Sequence, residues 1–409
     1  MKFVVATYGT EGDTRPLAAL SRALIDAGHD VRLLADEATL GSAAALGIPT
    51  APLAGDIKKV LQPAQKTTPA DTVRDLTGIT NENTESWLRE ITAAAKGCDA
   101  LIVSALASFA GLSAAECLGI RAIGAGAIPI TPTAAFASPF LPPALVPKWL
   151  NRTSHRFINS AIWSLLRKKT NAARASVCRL PPQRGVFSGH PMIWGVSPSL
   201  LPRPDDYPLD IFICGQWIAP APDWSPPPEL TEFLAAGECP IYVGFGSMAG
   251  LMQPQLLEKL ITGIAGRRTL FYPGWSKVDA GQLPANFFLV RDTPHSWLFP
   301  RTSLVLHHGG AGTTHSAARA GVPSIVVPFA GDQLFWADRL RRLGVAPPPL
   351  SSKSLQATNL KERLAFAERP EMRERAAALG ARMRSEDGLA NALSAIETLM
   401  MGSARGLNV

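Results

Sequence analysis

The stretch His307-His308-Gly309-Gly310-Ala311-Gly312-Thr313-Thr314, followed by Asp332-Gln333, decides how this chain folds. An apolar run, Ser303 to Leu306, precedes it, and a small-residue stretch ending near Gly321 follows. A second apolar run, Val322 to Phe329, leads into Gly331-Asp332-Gln333. The pattern predicts strand, glycine-rich turn, helix N-terminus, next strand, and a polar pair at that strand's carboxyl end. Unpaired N–H groups and the positive end of the helix dipole make such a turn an anion site. In open α/β sheets, ligands gather at the carboxyl ends of the strands. A phosphate beside His307 and a hydroxylated group at Asp332 and Gln333 follow from that placement.

Working outward, the same rhythm recurs along the chain. Lys2 to Thr7, a loop to Arg15, a helical pattern from Pro16 to a Gly28 cap, and Val31 to Ala35 make one βαβ unit. Further strands are expected at Ala100 to Val103, Arg121 to Ala125, Ile241 to Phe245, Thr269 to Tyr272, Phe287 to Val290, Leu304 to Leu306 and Ser324 to Pro328. Residues Lys58 to Asn83 read as a loop or short helices, and Ile128 to Pro147 as a proline-rich apolar loop. The run Pro-Ala-Pro-Asp-Trp-Ser-Pro-Pro-Pro at 220–228 has the composition of a semi-rigid linker. With 409 residues, this predicts two domains, 1–217 and 229–385, joined by a linker at 218–228 and followed by a helical tail, 386–409.

Bulk composition narrows the class. Charged residues are only 18% of the chain, which suits parallel sheets covered on both faces by helices. No run of roughly 18 apolar residues reads as a membrane span. The five cysteines are scattered without metal-ligand spacing, so reduced core residues in a cytoplasmic protein are expected. No Asp-x-Asp pattern stands out to hold a divalent ion, and no metal or cofactor is expected.

These residues resemble the nucleotide-diphosphate-sugar signature of family 1 glycosyltransferases with the GT-B fold. The His-His-Gly-Gly-x-Gly-Thr-Thr form is similar to the bacterial antibiotic and sterol glucosyltransferase branch. Gly9 to Pro16, Val243 to Met248 and Pro294 to Val345 carry the resemblance, in the family's order and spacing. It implies two Rossmann-like, doubly wound α/β domains facing across a cleft, with the C-terminal tail crossing back toward the first.

It also implies roles. In Gly12-Asp13-Thr14-Arg15-Pro16, Asp13 matches the general base that takes the acceptor hydroxyl's proton; Asp is equally a favoured helix cap. The implied donor-binding set is Thr10, Ser247, Trp275, Val290, His307, Gly310, Gly312, Thr313, Asp332 and Gln333. Within it, Ser247, His307 and the N–H groups at Gly312 and Thr313 meet phosphate. Trp275 stacks on the base or packs in its loop, and Val290 offers its backbone to the uracil edge. Asp332 and Gln333 hold sugar hydroxyls, for which glucose is the leading sugar. The resemblance thus points to metal-independent, inverting transfer of a hexose from a UDP-sugar to a hydroxyl on an apolar acceptor such as a sterol, polyketide or phenolic. UDP against dTDP stays open, as does the acceptor, whose pocket is assigned to the loops 58–83 and 128–163.

Two rivals belong to the same architecture. A dinucleotide oxidoreductase needs Gly-x-Gly-x-x-Gly after the first strand, which Gly9-Thr10-Glu11-Gly12-Asp13 does not supply. A nucleotide-sugar epimerase differs in its product. The formal charge of +7 is uneven: no acid lies between Glu116 and Asp205, while nine cations fall at 148–184, among them Lys148, Arg156, Lys168 and Arg184. This segment reads as a solvated helical face, or as a surface for peripheral contact with anionic lipid and a membrane-resident, glycolipid-forming acceptor. No nucleic-acid motif accompanies the charge.

Overall fold

The computed structural model describes residues 1–61, 69–220, 224–246, 254–274, 278, 281 and 283–404. The first sheet has seven parallel strands: β1 (Lys2–Tyr8), β2 (Asp30–Asp36), β3 (Thr50–Leu53), β4 (Ala100–Ala105), β5 (Arg121–Gly126), β6 (Met192–Trp194) and β7 (Ile211–Ile213). Their spatial order is β3-β2-β1-β4-β5-β6-β7. The second has five: β8 (Ile241–Gly244), β9 (Thr269–Tyr272), β10 (Phe287–Leu289), β11 (Leu304–His307) and β12 (Ser324–Val326), in the order β10-β9-β8-β11-β12. Both are therefore doubly wound. The order reverses between β1 and β4 in one sheet and between β8 and β11 in the other, and ligands bind at such switch points.

Helices cover both faces. They are α1 (Glu11–Asp26), α2 (Gly41–Ala44), α3 (Ile57–Leu61), α4 (Pro69–Ala94), α5 (Ser108–Leu118) and α6 (Asn151–Cys178) on the first unit. On the second are α7 (Pro228–Ala235), α8 (Pro254–Ile264), α9 (His295–Leu298), α10 (Ala311–Ala320), α11 (Gln333–Arg342), α12 (Ala357–Ala367) and α13 (Pro370–Arg384), and α14 (Gly388–Ala404) ends the described chain. Central strands such as β1 are buried on both faces, so they read as continuous apolar runs rather than alternating ones. One core layer joins Phe3, Leu17, Leu20 and Leu33 to Ala392, Ala395 and Ile396 of α14. The last helix thus belongs to the first unit's core.

The structure corrects three expectations. Helix α1 begins at Glu11, not near Pro16, because Thr10 and Asp13 form a capping box that starts it five residues earlier; Pro16 lies inside the helix. Residues 69–94 form one helix of 26 residues rather than a loop or short helices. Pro69 occupies its tolerated place at the start. Its hydroxyls hide within the helix: Thr80 donates to the Leu76 carbonyl at 2.7 Å and Thr84 to that of Thr80 at 2.5 Å, while Trp87, Leu88 and Ile91 are buried. Finally, β3, β6 and β7 extend the first sheet; each has only three or four residues, too short for a period to show.

A seam joins the two units. Arg339 donates to the Leu200 carbonyl at 2.7 Å, and Ser197 Oγ donates to Glu386 at 2.9 Å. His315 of α10 accepts the Ser197 N–H at Nε2, 3.2 Å, and bonds the Ala311 carbonyl through Nδ1 at 2.7 Å. This geometry needs the neutral tautomer with the proton on Nδ1, and burial holds the ring neutral, with its pKa lowered to about 4. The chain crosses the seam twice, at Gly215 and Gly388, whose backbones lie so close that a Cβ on Gly388 would collide with the Gln216 carbonyl.

Candidate active site

The cleft between the two sheets has a volume of about 2420 Å³. The loops after β1, β8 and β11 open into it, each at a switch point of its sheet. From the first unit come Thr10 and Asp13; from the second come His308, Gly310, Gly312, Thr313, Asp332 and Gln333.

Asp13 is half-buried in the first turn of α1. Its Oδ2 accepts the Thr10 N–H at 2.8 Å and the Thr10 hydroxyl at 3.2 Å. Both bonds go to one oxygen, so Oδ1 stays open to a proton donor in the cleft. Burial raises the Asp13 pKa, and the two Thr10 bonds only partly oppose this. The result is a carboxylate held in orientation yet more basic than one in water. The cap thus uses one oxygen of Asp13 and leaves the other to the cleft.

Across the cleft, α10 starts from Gly310 with no side-chain cap. The first N–H engaged within that helix is that of Thr314, bonded to the Gly310 carbonyl at 3.0 Å, which leaves the N–H groups of Ala311, Gly312 and Thr313 free for an anion. His308 packs over this turn; a Cβ at Gly310 would collide with its ring. Burial, then the neighbouring His295, lowers the His308 pKa to about 4, so its imidazole meets the cleft neutral. The expectation for His307 needs correction. Its side chain is fully buried at the end of β11, Nδ1 accepts the Gly309 N–H at 3.1 Å, and the imidazole that lines the cleft is that of His308. The strand carries His307 into the core, and the glycine turn then swings its neighbour outward.

Asp332 and Gln333 sit together at the start of α11. Trp336 donates from Nε1 to Asp332 Oδ2 at 2.6 Å. Burial nonetheless raises the Asp332 pKa to about 6, and the charge of Asp13 across the cleft adds to the rise. Gln333 Oε1 accepts the N–H groups of Phe329 at 2.6 Å and Ala330 at 3.0 Å. Its carbonyl is thus committed to the loop, and only its amide N–H groups remain to meet a ligand.

Val290 is buried behind the cleft wall and its N–H donates to the Phe271 carbonyl at 2.8 Å, so that amide is not open to a base; residues 291–296 form the wall. Ser247 and Trp275 lie outside the described residues. Several cleft residues escaped the sequence reading. Arg15, two residues past Asp13, reaches Asp292 of the facing unit at 2.7 Å and also pairs with Glu11 at 2.9 Å. Its adjacency to Asp13 was a usable signal; nothing in the sequence pointed to Asp292. Toward the first unit the cleft turns apolar, with Phe109, Leu112, Ile130, Phe140 and Leu166 along it. Both segments named for the pocket line the cleft, 58–83 through Thr72 and Leu76 and 128–163 through its loop and the first part of α6, which is helix rather than loop from Asn151 on. Among the described residues no group of three or more His, Cys, Asp or Glu could hold a metal ion.

Two doubly wound units, with an uncapped helix N-terminus facing a carboxylate loop, define the GT-B class of fold. Comparison with known proteins leads to the same class. Residues 270–398 match the family described as erythromycin biosynthesis protein CIII-like, C-terminal domain. The chain is 34% identical to vancomycin aglycone glucosyltransferase of Amycolatopsis orientalis, over 94% of this chain and 95% of that protein. It is 32% identical to O-mycaminosyltylonolide 6-deoxyallosyltransferase of Streptomyces fradiae, over 97% of each. Sterol 3-beta-glucosyltransferase UGT80A2 of Arabidopsis thaliana is 31% identical over 97% of this chain, which spans 65% of that relative's length. The glycosyltransferase VinC, solved in complex with dTDP, superposes with a TM-score of 0.69 at 17% identity, covering 98% of this chain and all of that one; this likeness is one of fold. The chain belongs to the GT-B glycosyltransferases.

Proposed function

We propose that this protein transfers a hexose, glucose first among candidates, from a UDP-sugar to a hydroxyl of an apolar small molecule, with inversion and without a metal. The observation that carries the reading is the pairing across one cleft of Asp13, basic and with one oxygen free, and the unengaged N–H groups at the start of α10. In this reading Asp13 Oδ1 takes the acceptor's proton as the acceptor oxygen attacks the anomeric carbon. The bond from that carbon to the β-phosphate oxygen breaks, and the electron pair leaves on the diphosphate. The N–H groups of Ala311, Gly312 and Thr313 and the neutral His308 ring receive that charge. Asp332 and the Gln333 amide hold sugar hydroxyls from the other side. With Asp13 acting as base toward the acceptor rather than as nucleophile toward the sugar, transfer is a direct displacement, hence inversion.

The apolar wall toward Phe109 and Phe140 supports an apolar acceptor. Peripheral membrane contact through residues 148–184 is separable from transfer, which would proceed on a water-soluble acceptor without it. The test measures nucleoside diphosphate release from a panel of sugar nucleotides, with phenolic and sterol acceptors and a chelator present. Acceptor-dependent release, with a glycosylated product of inverted anomeric configuration, is the expected outcome. Formation of an isomeric sugar nucleotide without acceptor would establish the epimerase instead. Release only after a divalent ion is restored would overturn the metal-free mechanism.

A further inference from the structure

The outer face of α6 is the feature that glycosyl transfer leaves unused. On a helix, residues spaced by four share a face, and Phe157, Ala161 and Leu165 form such a stripe on the solvent side. Phe157 is 66% and Leu165 52% exposed, and Trp149, just before the helix, is 80% exposed. Large apolar side chains in one exposed patch mark an interaction surface rather than ordinary solvent exposure.

Cations border this stripe. Lys148, Arg156, Arg167, Lys168 and Lys169 are exposed and carry no ion pair among the described residues. By contrast, Arg152 of the same helix is tied to Asp206 at 2.6 Å and buried Arg174 to Glu116 at 2.8 Å. Nor do acids of the neighbouring helix α4 neutralise the face: Glu85 is engaged by Arg89 and Asp71 by Arg74. Asp75 also lies against Arg74, Glu90 accepts the Ala54 N–H at 3.2 Å, and exposed Glu82 is the remaining acid of that helix. Apolar anchors ringed by unpaired cations suit the headgroup region of an anionic bilayer, where rings sink toward the acyl chains and cations meet the phosphates.

The same helix forms part of the cleft wall, through Arg156, Asn159, Ile162 and Leu166. We infer that the protein docks on anionic membranes through the outer face of α6 and the Trp149 turn, which sets the apolar end of the cleft at the lipid surface. The docking itself holds whatever the acceptor is; the idea that an acceptor enters from the bilayer rests on the transfer reading above.

Flotation of the full chain with vesicles tests this without any substrate. Vesicles of phosphatidylcholine alone and of phosphatidylcholine with phosphatidylglycerol serve as probes. Binding to the anionic vesicles alone, weakened by added salt, is the expected result. Each cation near an anionic surface supports about a fivefold gain in partition. The double variant Lys168→Glu with Lys169→Glu should therefore lose at least about tenfold. Trp149→Ser with Phe157→Ser should weaken binding while keeping its salt dependence. Unchanged circular dichroism in both variants separates loss of docking from loss of fold. Equal binding to both vesicle types, no binding to either, or binding to DNA but not to vesicles would each overturn the inference.

Discussion

Two helix N-termini face each other across the cleft, and they solve the same problem in opposite ways. Both α1 and α10 follow a strand at a switch point and present unpaired N–H groups. In α1 the chain fills the position itself: Thr10 and Asp13 cap it, and the carboxylate that would otherwise be a ligand is built in. In α10 the equivalent place is left bare, with glycines at 310 and 312 and no side-chain cap. An uncapped helix start costs about 1 kcal/mol, so the bare terminus is a cost borne by the fold until an anion arrives. On the proposed reading, the capped end orients a base and the open end receives a charge.

Removing the built-in carboxylate is the most severe way to break this contrast. Asp13→Ala should lower kcat by roughly 10²–10⁴-fold with the KM for the donor nearly unchanged. Stability should fall by only about 1 kcal/mol, from the lost capping box. If donor binding collapses together with kcat, Asp13 is structural. Filling the open end is the complementary change. Thr313→Asp should give α10 an acid in its first turn, stabilise the helix by ~0.5 kcal/mol and raise the donor KM about tenfold through repulsion of the diphosphate. Thermal unfolding and donor titration must then move in opposite directions.

The two adjacent histidines sharpen the same comparison. His308→Ala should reduce kcat by about tenfold with little loss of stability, since His308 lines the cleft. His307→Ala should chiefly destabilise, by about 2 kcal/mol, because it removes a buried ring and the acceptor for the Gly309 N–H. A reversed pattern would restore His307 as the phosphate contact.

Acid should also discriminate the sugar end from the phosphate end. The folded Asp332 carboxyl, raised to about 6, binds its proton more tightly than the unfolded chain does. Its contribution to stability is therefore largest below the ordinary range near ~4 and falls as pH rises through about 6. For the donor the sign is opposite: as pH drops below about 6 the carboxylate is lost as an acceptor of sugar hydroxyls, and the donor KM should rise severalfold. Asp332→Asn should abolish that dependence. The smallest expected effect is at Arg15. Its pair with Asp292 is half exposed, so Arg15→Gln should cost ~0.5 kcal/mol and show mainly as greater sensitivity of the donor KM to salt.

Much of the fold was legible because both sheets are buried on two faces, which makes their central strands long apolar runs between glycine turns. The turn before α10 was legible for a related reason: Gly309, Gly310 and Gly312 mark the passage from a strand into a helix that no side chain caps. Most of what escaped detection had no local signature. The choice between His307 and His308 depends on how a strand end meets a turn, not on residue type. Helix α4 was missed because its many polar residues imitate a loop, although two of them, Thr80 and Thr84, satisfy themselves on the helix backbone. The meeting of Arg15 with Asp292 spans 277 positions and exists only once the two units face each other.

The twofold crossing of the seam has a consequence for how such chains can be recombined. Because α14 completes the first unit's core, the second unit is topologically an insert, entering after Gly215 and leaving before Gly388. Its two junctions touch. The second unit of a relative could therefore be exchanged as one cassette between these two glycines, with the first unit kept whole around it. A simple cut after the linker would instead separate α14 from the layer of Leu17, Leu20 and Leu33 that it covers.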